Sequence, residues 1–204
     1  MDKATMSSPL VIVIVGLPGS GKSFFATQFA TSLDAALISE DKIRWMLFSH
    51  HAYSDNENTV VKQVANMIMS ELFKTKKTFV LDGGYNDRVS RTALNATAKK
   101  AGYCVLTVVV QTDVPTAKQR SINRNAKKAG DVHKQSLSDG LFESQSKKYQ
   151  APLAIDKTAV VISGKHTYST QARVVLKKIL ELQGVAPVEQ RPAPIVRPRG
   201  PFVQ

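Results

Sequence analysis

The chain has 204 residues, 43% hydrophobic and 22% charged, which excludes wholesale disorder and suits one domain of ordinary size. Lysines and arginines number 28 against 16 aspartates and glutamates, and the net charge of +12 favours anionic partners: phosphates, nucleic acid or an acidic membrane face. The single Cys104 excludes an internal disulfide, and no apolar run approaches the ~18 residues of a membrane span, so a soluble, cytoplasmic protein is expected.

Residues 1–9 read as a flexible lead-in. Leu10 to Val15 is then an unbroken apolar run, the pattern of a strand buried on both faces. Weaker strands are expected at 36–39, 78–81, 103–110 and 158–162. Helical patterns fall between and after them, at 21–33, 41–48, 58–73, 88–101, 115–127, 136–149 and 169–182. This alternation predicts right-handed βαβ units over residues 10–183. The fold class is α/β, three-layered, with about five parallel strands, helices on both faces and a short helical lid near 118–134. Residues 184–204 hold five of the nine prolines and read as a disordered Pro/Arg-rich tail. Its three arginines and one glutamate leave +10 on the rest, so the basic character belongs to the body. In this architecture ligands bind beyond the carboxyl ends of the strands.

Directly after the first strand comes Gly16-Leu17-Pro18-Gly19-Ser20-Gly21-Lys22-Ser23, followed by a helical pattern. This is G-x-x-x-x-G-K-[ST] in its required context of strand, loop and helix. Glycines let successive backbone N–H groups turn inward around a phosphate, and the helix adds its positive dipole end. Lys22 can reach the β- and γ-phosphates of ATP or another nucleoside triphosphate, and the Ser23 hydroxyl can ligate Mg²⁺. GTPase switches, ATPases and transporter motors carry such a loop too, but a chain of this length favours a small phosphotransferase.

After the second strand the chain reads Ser39-Glu40-Asp41-Lys42-Ile43-Arg44. Ser39 suits an N-cap, and the three-residue spacing puts Asp41 and Arg44 on one helical face. A kinase needs a carboxylate beside the acceptor hydroxyl, and a cation there can hold an anionic substrate. A capped helix with an ion pair on a solvated face is the alternative.

Together with Arg124-Asn-Ala-Lys-Lys128-Ala-Gly, these motifs resemble the kinase domain of polynucleotide 5′-hydroxyl kinases. More broadly they resemble the AAA-type, P-loop kinase-like group that includes zeta-toxin-type enzymes. The resemblance spans roughly Leu10 to Tyr149. It implies that Asp41 is the general base, that Arg44 contacts the acceptor's phosphate or the transferring group, and that Arg124 and Lys128 are lid cations at the nucleotide. Lysine in place of a second arginine loses the bidentate fork.

The third strand ends in Asp82-Gly83-Gly84-Tyr85-Asn86. Asp82 there can hold a magnesium-bound water or the acceptor, and Asn86 is a second acceptor-side candidate. Gly84-Tyr85-Asn86 departs from the family's Thr-Asn-like turn, and Asp82 could instead cap the next helix. From Lys118 to Lys134 six basic residues face one acid, as suits either a lid that neutralises phosphoryl charge or a solvated face. The four histidines lack metal-ligand spacing, so no zinc is expected. Cys104 reads as core; Trp45 and Phe48, beside Arg44 at helical spacing, could stack an acceptor base, but core packing is the expected role.

The expected activity is ATP- and Mg²⁺-dependent transfer of the γ-phosphoryl group to a hydroxyl, favouring the 5′-hydroxyl of a polynucleotide. Two alternatives stay open: a zeta-toxin-like kinase of a small molecule such as a nucleotide-sugar, and a nucleotide-dependent nucleic-acid-binding module without an acceptor.

Overall fold

The computed structural model describes residues 8–124, 133, 135–153 and 155–184. Its elements run β1 (Leu10–Val15), α1 (Lys22–Ser32), β2 (Ala36–Ser39), α2 (Glu40–Leu47), α3 (Asp55–Thr75), β3 (Phe79–Asp82), α4 (Arg88–Lys100), β4 (Cys104–Gln111), α5 (Val114–Ile122), α6 (Asp139–Lys147), β5 (Ala159–Ser163) and α7 (Tyr168–Leu182). The five strands are parallel, in the order β2-β3-β1-β4-β5.

All six side chains of β1 are buried, as its unbroken apolar run predicts. Alternate residues serve opposite layers. Leu10, Ile12 and Ile14 pack with Phe25 and Phe29 of α1 and with Val175 and Ile179 of α7. Val11, Val13 and Val15 pack with Val61 and Met69 of α3 and Leu94 and Ala98 of α4. Each fully buried Val, Leu or Ile contributes about 1.5–3 kcal/mol over an exposed one, so β1 is the rigid post on which its loop stands.

The chain moves outward from β1 to β2 on one side and later crosses to β4 on the other, which opens a crevice at the carboxyl end of β1. Register makes that end level: Ser39 lies opposite Asp82, and Asp82 opposite Ile14. The residues that follow β1, β2 and β3 therefore emerge side by side.

Several expectations shift. α3 begins at Asp55, three residues early, because the Ser54 side chain accepts from the Glu57 N–H and starts the helix there. α5 ends at Ile122 with Asn123 as its C-cap, so Arg124 lies past the helix expected over 115–127. α6 begins at Asp139 rather than 136, capped by Ser138. Cys104 is exposed, since it stands at the amino end of β4 before the register with β5 begins. Trp45 is 43% exposed and packs on His51 and His133 rather than in the core, while Phe48 is half-buried against it. The tail from 185, the first seven residues and Lys127, Lys128 and Lys134 lie outside the described residues.

Candidate active site

The loop after β1 turns into α1 at Gly21, which has φ 103° and leaves the helix without a side-chain cap. The first amides of α1 and its positive dipole end therefore face the loop's interior. Lys22 folds back across the loop, its Nζ donating to the Gly16 carbonyl at 3.0 Å and the Leu17 carbonyl at 2.7 Å. Ser20 is fully buried, and its hydroxyl has no hydrogen-bond partner among the described residues. A buried orphan hydroxyl in a ring of inward amides fits an anionic oxygen.

The loops after β4 and β5 brace this cradle. Thr112 Oγ1 donates to the Ser20 carbonyl at 3.1 Å, and a Cβ on Gly164 would overlap both atoms. Gly164→Ala should push the Ser20 segment inward and weaken nucleoside triphosphate binding by about tenfold or more. Calorimetric titration with an ATP analogue measures this, and unchanged affinity would refute it.

Across the crevice, Ser39 caps α2 by accepting from the Lys42 N–H at 3.4 Å, which sets Glu40 and Asp41 in the first turn. Asp41 is half-buried and lines the crevice. Arg44 is buried, so this face is not solvated. Its Nη1 donates to Glu57 Oε2 at 3.0 Å, its Nη2 donates to Asn58 Oδ1 at 2.7 Å, and its guanidinium lies 4.6 Å from the Tyr53 ring centre. Glu57 is a residue that sequence reading passed over. Its carboxylate also accepts from the Ala52 N–H at 2.9 Å and the Tyr53 N–H at 2.8 Å. Those amides, with the Arg44 guanidinium, hold it below the usual carboxylate range. The available signal was Ser54-Asp-Asn-Glu57, a capping-box pattern.

Asp82 ends β3 buried, its carboxylate accepting from the Ser39 hydroxyl at 3.5 Å. It does not cap α4: Asp87 does, accepting from the Ser90 N–H at 2.7 Å. Asn86 spends its amide on Gly16, accepting from the N–H at 3.0 Å and donating to the carbonyl at 3.1 Å. It thereby ties the β3–α4 loop to the phosphate cradle. Arg91, buried, fixes the same loop by donating to the Tyr85, Asn86 and Gln150 carbonyls.

Glu40 is the second residue missed. It sits against Gly83 and Gly84, and Gly84 has φ 77° and no room for a Cβ beside the Glu40 carboxyl. Burial, against the pull of Lys62, pushes the Glu40 carboxyl up to about 7 from the ordinary 4.5. The folded state thus holds this proton more tightly than the unfolded chain. Its contribution is fully present below the ordinary 4.5 and is lost as pH rises to about 7. Glu40→Gln should flatten that fall, leaving the variant more stable at pH 8 by at most roughly 3 kcal/mol. Urea midpoints at pH 5 and pH 8 measure it, and parallel changes in both proteins would sink the idea.

One cleft of about 1160 Å³ gathers Pro18, Gly19, Gly21, Lys22 and Ser23 with Asp41, Arg44, Asp82, Asn86 and Arg124. Gly16, Leu17 and Ser20 belong to the same loop but do not line the cleft. Arg124 stands at the rim, its Nη1 donating to the Gln135 carbonyl at 3.0 Å. Lys118 spends its charge on Asp139 at 3.0 Å and Glu143 at 3.5 Å. Ser23 and Asp82 are oxygen donors of the kind Mg²⁺ takes. Among the described residues no group of three or more His, Cys, Asp or Glu could hold a metal. Mg²⁺ keeps waters and binds through one or two protein oxygens plus phosphates, a role open to Ser23 and Asp82.

The AAA domain family matches residues 11–152, 142 of the 204 residues. The chain belongs to this family. Its membership places it in the P-loop kinase group that the Gly16–Ser23 loop resembles. This AAA-domain protein is similar in fold to a sugar kinase from Janibacter sp. HTCC2649, with 16% identity, a TM-score of 0.62, and 87% of this chain and 98% of that one covered. It is similar to Kti12 of Chaetomium thermophilum in complex with ADP-AlF3 at 22% identity and TM-score 0.62, covering 84% and 97%. It also resembles a chain of the Pnkp1/Rnl/Hen1 RNA repair complex at 20% identity and TM-score 0.59, covering 72% of this chain and 45% of that one. No curated protein matches the AAA-domain chain in sequence. Among the described residues no helix is long and apolar enough to cross a membrane.

Proposed function

We propose that this protein is an ATP- and Mg²⁺-dependent kinase that transfers the γ-phosphoryl group to the 5′-hydroxyl of a polynucleotide. The observation that carries the reading is a single cleft with the Lys22–Ser23 cradle on one wall and Asp41 and Arg44 on the other. In this reading Asp41 takes the proton of the acceptor hydroxyl while its oxygen attacks the γ-phosphorus, and the bond to the β–γ bridging oxygen breaks to release ADP. Lys22 and the loop amides hold the phosphates. Arg124, with Lys128 as its expected partner, faces the charge of the transferred group. Ser23 and Asp82 would hold Mg²⁺, which when bound neutralises charge on the phosphate oxygens.

Polynucleotide is favoured as acceptor by the +10 that remains on the body without the tail, and by the likeness to a chain of an RNA repair complex. Labelled ATP offered with 5′-hydroxyl oligonucleotides, or with sugars and nucleotide-sugars, tests the choice. Label on the oligonucleotide end is the expected result. Label on a small acceptor alone would move the protein to the small-molecule reading. ATP-dependent binding of nucleic acid without transfer would leave only a binding module.

A further inference from the structure

Tyr53 is a bulky residue with φ 52°, a left-handed backbone that aromatic side chains rarely adopt. Such strain persists only where neighbours over-determine it, and it concentrates at ligand sites. Here Glu57 Oε2 accepts from the Tyr53 N–H at 2.8 Å, and Asn58 Nδ2 donates to the Tyr53 carbonyl at 3.2 Å. The same two side chains hold the Arg44 guanidinium, which lies 4.6 Å from the Tyr53 ring centre. Glu57 and Asn58 therefore clamp Arg44 and Tyr53 as one unit: an aromatic ring backed by a cation. Tyr53 and Arg44 both line the cleft, on the wall that carries Asp41. The Tyr53 hydroxyl lies within the fields of Asp41 and Arg124, burial and the Asp41 carboxylate raising it from its ordinary value and Arg124 opposing them.

We infer that Tyr53, stiffened by Arg44 behind it, is the platform on which the base of the acceptor's terminal nucleoside stacks, bringing the 5′-hydroxyl to Asp41. This rests on the polynucleotide reading and deepens it. Every base has a π-face, so a single aromatic platform tolerates any sequence while rejecting an acceptor without a base. The strain has a physical purpose under this assignment. A tyrosine free to leave the left-handed region would swing its ring off the acceptor, and the clamp removes that freedom before substrate arrives.

The experiment compares KM and kcat for 5′-hydroxyl oligonucleotides with a normal or an abasic 5′-terminal residue, using the wild type, Tyr53→Ala and Tyr53→Phe. In the wild type the abasic end should raise the acceptor KM by roughly ten- to a hundredfold, the range that base–aromatic stacking supports. The KM for ATP should not change. Tyr53→Ala should erase the discrimination, and Tyr53→Phe should restore it. Equal KM values for the two acceptors with the wild type overturn the inference without requiring any variant to fold. A Tyr53→Ala loss that falls equally on both acceptors assigns Tyr53 a purely structural role and also overturns it. Absence of label on any oligonucleotide instead overturns the acceptor reading beneath it.

Discussion

Asp41→Asn is expected to lower phosphoryl transfer by roughly a hundred- to ten-thousandfold while leaving nucleotide affinity within about twofold. Asparagine keeps the size and polarity of the side chain but has no basic oxygen to accept the proton of an acceptor hydroxyl. Asp41 stands in the first turn of α2, whose start is fixed by the Ser39 cap, and asparagine leaves that cap in place. The phosphate cradle belongs to β1 and α1, and its ties run to Asn86, Thr112 and the loop's own carbonyls. The two halves of the measurement should therefore separate. Single-turnover transfer from labelled ATP reads the first, and calorimetric titration with a non-hydrolysable analogue reads the second. Transfer that survives within tenfold would remove Asp41 as the base. A matching loss of nucleotide affinity would mean that the variant had damaged the cradle instead.

The sheet was legible in the sequence because β1 is apolar and β-branched-rich at six consecutive positions and stops at a glycine, the pattern of a strand covered on both faces. The loop at 16–23 was legible for a similar reason: glycine, lysine and serine at fixed offsets after a strand have few other uses. Arg44 was legible as a candidate but not in its setting. Spacing put it beside Asp41, whereas its ion pair crosses to Glu57, thirteen residues on and in another helix. A one-dimensional pattern carries helical neighbours and misses contacts between helices. Glu40 was passed over because its distinguishing feature, burial against the two glycines that follow β3, is set by the parallel register of β2 and β3. Asn86 was seen as facing an acceptor, yet its amide is matched to the backbone of Gly16, seventy residues away. Cys104 and Trp45 failed as core residues for one reason. Hydrophobic character places a residue in an element, but its position at the element's end or outer face decides its exposure.

Glu57→Ala should destabilise the protein by about 3–5 kcal/mol, the usual cost of stranding one member of a buried ion pair. Arg44 makes the case acute, because its Nε is already buried without a partner among the described residues, and the variant would take the acceptor from Nη1 as well. The Ala52 and Tyr53 amides would lose their acceptors at the same stroke, and the turn into α3 would lose its lock. Glu57→Gln keeps an oxygen for some of these donors and should cost less. Acid distinguishes the two contributions. Because the folded state holds the Glu57 carboxyl below its ordinary 4.5, its stabilisation is present above that value and disappears as pH falls through the lower folded value. Wild-type stability should therefore drop in that acid range, and Glu57→Gln should lack that component of the fall. Function should follow Arg44: the acceptor KM should rise in Glu57→Gln, with the KM for ATP unchanged, since the carboxylate holds Arg44, Ala52 and Tyr53, all outside the cradle. Urea titrations across pH 3 to 7, paired with transfer kinetics at pH 7, check both. A variant as stable as the wild type would show that Arg44 finds its neutralising partner elsewhere in the cleft.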